Sequence, residues 1–327
     1  MTGGAGFIGS HVVDLLVDKG FHVGVVDNLV TGRLENLARH TGNRGVTLYS
    51  VDLNTVPVDS EWFSGVDYVF HFGGIGDIVP SIERPLDYMQ ANVMGTLRVL
   101  EAARRAGVRK FVYAASSSCY GSTPEVPTPE TAPIAPGYPY ALSKYLGECA
   151  VLHWGEVYAL PVVSLRIFNA YGPRVRTSGA YGAVFGVFLA QKLKGRPFTV
   201  VGDGTQTRDF VYVTDVAQAF LLAAESSCVN EVFNLGAGQP QSVNRLVDLL
   251  GGDVVHVPKR PGEPDCTWAD TRKIRARLGW NPRVSFEDGV NRMLQHIEYW
   301  SDAPVWDPRS IEAATEAWFR YLGPRRS

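Results

Sequence analysis

The sequence predicts an α/β protein built on a doubly wound parallel sheet, and three observations carry that expectation. First, short apolar runs rich in Val, Phe and Tyr alternate with helical stretches from Gly9 to about residue 115. They place strands over 22–27, 46–51, 68–72 and 110–115, and a helix over 92–106. Second, the opening residues carry Gly3, Gly6 and Gly9 at a three-residue spacing, ahead of an amphipathic stretch from His11 to Val17 that ends at Gly20. Third, the strand from His22 closes on an acid, Asp27, eighteen positions after Gly9.

The glycine turn comes first in the chain and sets the chemistry of the rest. Glycines let the backbone bend tightly and approach a pyrophosphate, whose charge is held by the N–H groups and dipole at a helix start. Gly3, Gly6, Phe7, Ile8 and Gly9 are therefore assigned to a dinucleotide. An acid at the end of the next strand accepts hydrogen bonds from the adenosine ribose, so Asp27, with Asn28 beside it, favours NAD and repels the 2′-phosphate of NADP. These features make the sheet Rossmann-type. Asp52, followed by Leu53, ends the next strand and either reaches adenine or caps a turn; Gly73 ends the strand after that, where a dinucleotide crosses the sheet edge. His71 reads as a satisfied strand histidine and not as a catalytic group.

A glycine turn of this kind should follow a strand of four or more apolar residues, and only Met1 and Thr2 precede it. That missing strand is central in a doubly wound sheet, and its loss leaves ladder groups unpaired on both neighbours. The expectation is that the native chain begins several residues upstream.

Composition narrows the class. The 327 residues suffice for one large or two intimate domains, and the net charge of −2 with no long basic run argues against nucleic acid as a partner. No apolar run approaches the roughly eighteen residues of a membrane helix. Cys119, Cys149, Cys228 and Cys266 are widely spaced and form no CxxC pair, so they read as reduced, mostly buried thiols of a cytoplasmic protein, with no metal site.

After the strand over 110–115, hydroxyls gather in Ser116-Ser117-Ser118-Cys119-Tyr120-Gly121, at the strand end where open α/β sheets bind ligands. Tyr140 and Lys144 then open a helix running to Trp154. Four apart, they share one helix face, so the ammonium can lie near the phenol and favour phenolate. To act as a base near neutrality the phenol must fall about 3 units from ~10, roughly 4 kcal/mol of differential stabilisation.

With these residues in place the chain resembles the extended short-chain dehydrogenase/reductases, in the NAD-dependent nucleotide-sugar epimerase/dehydratase group. The likeness extends to Asn92-Val-Met-Gly-Thr96, Arg166-Ile-Phe-Asn-Ala-Tyr-Gly-Pro173, the stretch Gly202 to Val213, and Asn234-Leu-Gly236. By resemblance, Ser116, Tyr140 and Lys144 are catalytic: Ser116 hydrogen-bonds the reacting sugar oxygen, Tyr140 is the base, and Lys144 also binds the nicotinamide ribose. The 4,6-dehydratases carry Asp-Glu directly after the catalytic hydroxyl, whereas Ser117 and Ser118 stand here, so chemistry beyond C4 lacks its acid and base. Cys119 lies one position away from the cysteine that other epimerases of the group use, and is read as packing.

The resemblance divides the chain into an NAD-binding part, 1–168, and a mainly substrate-binding part, 169–327, with some segments returning to the sheet. Asn169 is expected on the diphosphate or sugar, Arg208 and Arg260 on the diphosphate, which a guanidinium fork suits, and Glu263 on the nucleotide ribose. Asp209 and Asp215 are expected to organise their loop and cap a helix from Val216. Thr267 falls where related 4-epimerases wall the C2 substituent, and being small it implies room for N-acetylhexosamines. The tail, with Trp300, Trp306, Trp318 and Tyr321, reads as a helix over 310–322 packed on the core.

The implied activity is a nucleotide-sugar 4-epimerase, with a UDP-sugar as substrate and a homodimer formed through helices 92–106 and 140–154. The alternatives are another nucleotide-sugar epimerase, dehydratase or reductase, and, from a different class, a non-catalytic NAD-sensing protein.

Overall fold

Five parallel strands and one returning segment form the main sheet. The structure, a computed structural model, describes residues 1–175 and 183–323. We label the strands β1 (Val23–Asp27), β2 (Val46–Ser50), β3 (Tyr68–His71), β4 (Lys110–Ser116) and β5 (Val162–Ile167); the strand Glu231–Leu235 pairs parallel with β5 at the far edge. β1 pairs with β2 at one end, and β3, β4 and β5 follow one another at the other. The two groups are joined by Thr2, which bridges Val26 on β1 and His71 on β3. Thr2 N–H donates to Phe70 O, Phe72 N–H to Thr2 O, and Val26 N–H to Met1 O. The first residues thus enter the sheet in the position the sequence leaves for the central strand.

Burial follows the period of the pleat. On β4, Val112 and Ala114 face one core with Val12, Val13 and Leu16 of helix α1 (Phe7–Asp18) and with the helix Val213–Glu225, while Phe111, Tyr113 and Ala115 face the other with Val99, Leu100 and Val151. A third core, around Tyr171, Phe185, Phe198, Phe210 and Phe286, supports the later part of the chain. There the strands are short: Asn169–Tyr171 beside Phe210–Tyr212, Phe198–Val201 beside Val254–Val257, and Thr207–Arg208 beside Gln241–Ser242. Among the described residues no helix is long and apolar enough to cross a membrane.

Several expectations need correction. The helix expected over 92–106 begins with a π turn, Gln90–Met94, before the α-helix Gly95–Ala106. The helix expected from Val216 starts at Val213, and Asp215 lies inside its first turn; its carboxylate instead accepts the N–H groups of Arg283 and Val284, joining two distant segments. Two of the cysteines, Cys119 and Cys228, are buried, but Cys149 is exposed and Cys266 half-buried.

Candidate active site

A cleft of about 920 Å³ opens at the carboxyl ends of the parallel strands, where the strand order reverses. Its first wall is the glycine turn. Gly3 has φ +65°, and a Cβ there would lie 2.8 Å from the backbone of Phe72 and Gly73, so the turn can press against the end of β3 only as glycine. A Cβ on Gly9 would collide with the Gly3 carbonyl oxygen. Gly6 is the N-cap of α1 and no side chain caps it; Gly6, Phe7, Ile8 and Gly9 line the cleft. An uncapped helix start framed by glycines suits a diphosphate.

Asp27, 7% exposed, accepts Ala5 N–H at 3.0 Å and Leu29 N–H at 2.9 Å, which fixes its carboxylate at the cleft edge. Asn28 and Asp52 are joined at 3.2 Å, and Asp52 caps the turn at Asn54 N–H, 2.8 Å; that backbone donor holds its carboxyl below the usual range. Asp52 thus caps a turn, one of the two roles the sequence allowed, and lines the cleft beside Leu53 and Gly73. The residues present fit a dinucleotide with a free adenosine ribose.

Beyond Gly73, the loop that follows β3 makes contacts the sequence did not show. Gly74 has φ +156°, and a Cβ on it would strike Asn92. Asn92 Oδ1 accepts Ile75 N–H at 2.8 Å, and its Nδ2 donates to Ile75 O at 3.0 Å and to Ser143 Oγ at 2.9 Å. From its π turn Asn92 thus ties the loop to the helix Pro139–Tyr158, which carries Tyr140 and Lys144. The same loop brings Asp77 into the cleft, where its charge opposes ionisation of Tyr140.

Ser116, Tyr140 and Lys144 meet in this cleft. Ser116 Oγ lies 2.8 Å from Ser118 Oγ and lines the cleft together with Tyr140. Burial raises the phenol above its ordinary value, and the Ser116 hydroxyl pulls it back. Lys144 Nζ stands over the Tyr113 ring, 4.5 Å from its centroid, and burial draws it down to about 8 against the pull of Glu148. The aromatic ring of β4, standing between the sheet and the helix, captures the cation. His71 is satisfied on both nitrogens, by Thr2 Oγ1 at 2.7 Å and Thr96 Oγ1 at 2.8 Å, as its strand position implied. Cys119 is buried and its thiol is pushed up to about 12, which suits packing.

In the later part of the chain Asn169, Arg208, Arg260, Glu263 and Thr267 all line the cleft. Arg208 donates to Glu263 Oε1 at 2.8 Å, and Arg260 to Oε2 at 2.8 Å and Oε1 at 3.0 Å. The two guanidinium groups therefore converge on one point, and the Glu263 carboxylate occupies it. Thr267 donates to Asn169 Oδ1 at 2.8 Å and accepts Asp209 N–H at 3.2 Å. Asp209, fully buried, takes Gly238 N–H at 3.0 Å and Ala269 N–H at 2.9 Å, the loop-organising role expected of it.

The tail helix, Pro308–Leu322, does more than cover the core. Trp318, with Pro304 and Trp306, lines the cleft; its indole N–H donates to Pro261 O at 2.7 Å and its face lies 5.1 Å from the Arg260 guanidinium. Helical spacing alone showed an apolar face and could not say that the face met a binding loop.

Comparisons with known proteins agree with this geometry. A family model described as the NAD dependent epimerase/dehydratase family matches residues 1–236. A putative UDP-glucose 4-epimerase of Methanocaldococcus jannaschii is 36% identical over 306 residues, 91% of this chain and 97% of the relative. The Thermotoga maritima UDP-glucose 4-epimerase, solved with UDP-glucose, is 37% identical with a TM-score of 0.84 over 92% of this chain and 97% of the other. The UDP-N-acetylglucosamine 4-epimerase of Methanobrevibacter ruminantium, solved with UDP-N-acetylmuramic acid, is 33% identical with a TM-score of 0.85 over 90% and 97%.

Proposed function

The chain belongs to the NAD-dependent epimerase/dehydratase family, and from that premise we propose that it is a nucleotide-sugar 4-epimerase acting on a UDP-hexose or its N-acetyl form. One observation carries the choice within the family. Ser116, Tyr140 and Lys144 gather at the cleft, while Ser117 and Ser118, which carry no acid or base, follow the catalytic hydroxyl. Chemistry at C4 has its base, and elimination at a second carbon lacks one at those positions.

The glycine turn, Asp27 and Lys144 would hold NAD, which when bound would supply hydride acceptance at C4, its return, and a positive field that lowers the Tyr140 phenol. Tyr140 takes the proton of the C4 hydroxyl as C4 is oxidised to the ketone. Ser116 holds that oxygen in line with the phenol. Lys144, drawn down to about 8 by burial, would supply a local charge and bind the nicotinamide ribose. Arg208 and Arg260 hold the diphosphate, Asn169 the sugar side, and Glu263 the nucleotide ribose. The 4-keto sugar then turns over in the cleft and takes its hydrogen on the opposite face, with Tyr140 giving the proton back.

The first part of the chain, 1–168, serves the cofactor and the later part the substrate, with the strand Glu231–Leu235 returning to the sheet. A homodimer is supported by exposed Leu86, Met94, Leu142 and Leu146 on neighbouring helical segments, and unpaired cysteines suit a reducing cytoplasm. The test is to supply NAD and either UDP-glucose or UDP-N-acetylglucosamine and follow the configuration at C4 by proton NMR. The galacto epimer should appear without net NADH. Net NADH, or no change with either sugar, refutes this reading.

A further inference from the structure

The tail helix, Pro308–Leu322, reaches both sides of the cleft. Ile311, Thr315 and Trp318 are buried at helical spacing along one face, and a capping box between Asp307 and Ser310 fixes the first turn. The helix packs against Ile78–Glu83, which follows the cleft loop after β3, and through Trp318 it touches the loop that carries Arg260 and Glu263. Its buried face therefore runs from the cofactor side to the substrate side. Trp318, 3% exposed, is where that face meets the arginines.

Arg260 is held both on its edge and on its face. Its Nε donates to Glu263 Oε2 at 2.8 Å and its Nη2 to Oε1 at 3.0 Å, and Arg208 donates to the same Oε1 at 2.8 Å. The guanidinium lies over the Trp318 ring, 5.1 Å from its centroid, while the indole N–H donates to the carbonyl oxygen of the next residue, Pro261, at 2.7 Å. The Tyr138 ring stands 6.1 Å from the indole and supports it from the catalytic helix. A guanidinium carries its N–H donors on its edge, and stacking uses the face and consumes none of them. Trp318 thus fixes the plane of Arg260 and leaves the edge to an anion. The Arg260 side chain is only 17% exposed, and a desolvated cation is the one an indole holds most strongly.

We propose that Trp318 is a positioning residue for the substrate: it holds the Arg260 guanidinium in the plane from which its edge grips the diphosphate of a nucleotide sugar, so that the tail helix belongs to the substrate site. This rests on the diphosphate role of Arg260 in the proposed function. In that reading Glu263 turns to the nucleotide ribose, and the Arg260 donors that it now engages pass to phosphate oxygens. The indole keeps the guanidinium in place through the exchange, so the rotamer entropy of a long side chain is already lost before the diphosphate arrives. The bond to Pro261 O keeps the backbone beneath Arg260 from shifting with it.

The experiment measures UDP binding to the NAD-saturated protein by calorimetry, together with turnover of the UDP-hexose. Trp318→Leu removes the aromatic face and the N–H, and should weaken UDP about tenfold, the size of a largely desolvated cation–π contact. KM should rise by a similar factor while kcat, set by Ser116, Tyr140 and Lys144 on other elements, stays within about twofold. Trp318→Phe keeps a weaker aromatic face without the N–H and should fall between, at about threefold. Arg260→Leu should weaken UDP as well, and adding Trp318→Leu to it should weaken UDP no further, because the indole acts through the guanidinium. A helix that only packs on the core gives effects that multiply in the double variant. That result overturns the proposal, as does a Trp318→Leu protein that binds UDP like the wild type, or a wild type that binds no UDP. If the wild type binds UDP and epimerises no sugar, the 4-epimerase reading fails, and the binding cycle still decides the role of Trp318.

Discussion

Arg166 on β5 donates to both carboxylate oxygens of Glu148 at 2.6 to 3.1 Å, and the two side chains are only 7% and 2% exposed. Glu148 lies one turn beyond Lys144 and two beyond Tyr140, so this pair fastens the catalytic helix to the sheet. Ser164 Oγ adds a bond to Glu148 at 2.8 Å, and Arg166 continues to the Tyr120 hydroxyl at 2.7 Å. Removing one member leaves the other as an uncompensated buried charge. Arg166→Met should therefore cost about 3–5 kcal/mol in urea unfolding, and the double change Arg166→Met with Glu148→Leu should recover much of it. A single variant within 1 kcal/mol of the wild type is the result that contradicts this.

His71 gives the protein an acid limit. Burial, with the Lys144 and N-terminal charges nearby, lowers its pKa to about 3, from an ordinary 6.5. The neutral ring is the folded form, held between Thr2 and Thr96. As pH falls from 6.5 towards 3 the unfolded chain binds a proton that the native state refuses, so stability is lost across that window, on the order of 5 kcal/mol. In His71→Asn the slope of unfolding free energy between these values should flatten, even though the variant starts less stable. An unchanged slope assigns the acid limit elsewhere, first to His11, whose pKa burial lowers to about 4.

Asp27 is held rigid by Ala5 and Leu29, which makes its charge a fixed feature of the cofactor site. A rigid carboxylate both accepts ribose hydroxyls and repels a 2′-phosphate. Asp27→Ser should weaken NAD by about tenfold and narrow the preference for NAD over NADP by more than that, because one change removes the bond and the repulsion together. Titration of each cofactor by tryptophan fluorescence measures both, and a preserved preference refutes the assignment.

Much of the cofactor half was legible because its signals are local. The turn at Gly3 to Gly9, the acid at Asp27 and the pair Tyr140 and Lys144 are each read from spacing within one or two elements. What escaped is held by contacts between residues far apart in the chain. Asp215 reaches Arg283 and Val284, Trp318 reaches Pro261, and Arg166 reaches Glu148, and none of these pairs has a spacing to betray it. Helical spacing relates Lys144 to Tyr140, but the ring that its ammonium stands over, Tyr113, is contributed by a different strand and has no spacing to announce it.

Thr267 carries the remaining prediction about substrate. It stands on the cleft wall with its hydroxyl spent on Asn169 and its backbone N–H on Thr207 O, so its place is fixed. Under the 4-epimerase reading a larger group there narrows the room for a C2 substituent, while Ser116, Tyr140 and Lys144 sit on other elements. Thr267→Tyr should thus spare turnover of the plain UDP-hexose within a few-fold and lower kcat/KM for the N-acetylated sugar by at least about a hundredfold, since a steric clash in a rigid wall costs several kcal/mol. The two rates measured side by side separate the cases. Equal losses on both sugars would mean that the Asn169 contact, and not the volume at Thr267, governs binding, and equal retention would mean that the N-acetyl group lies elsewhere in the cleft.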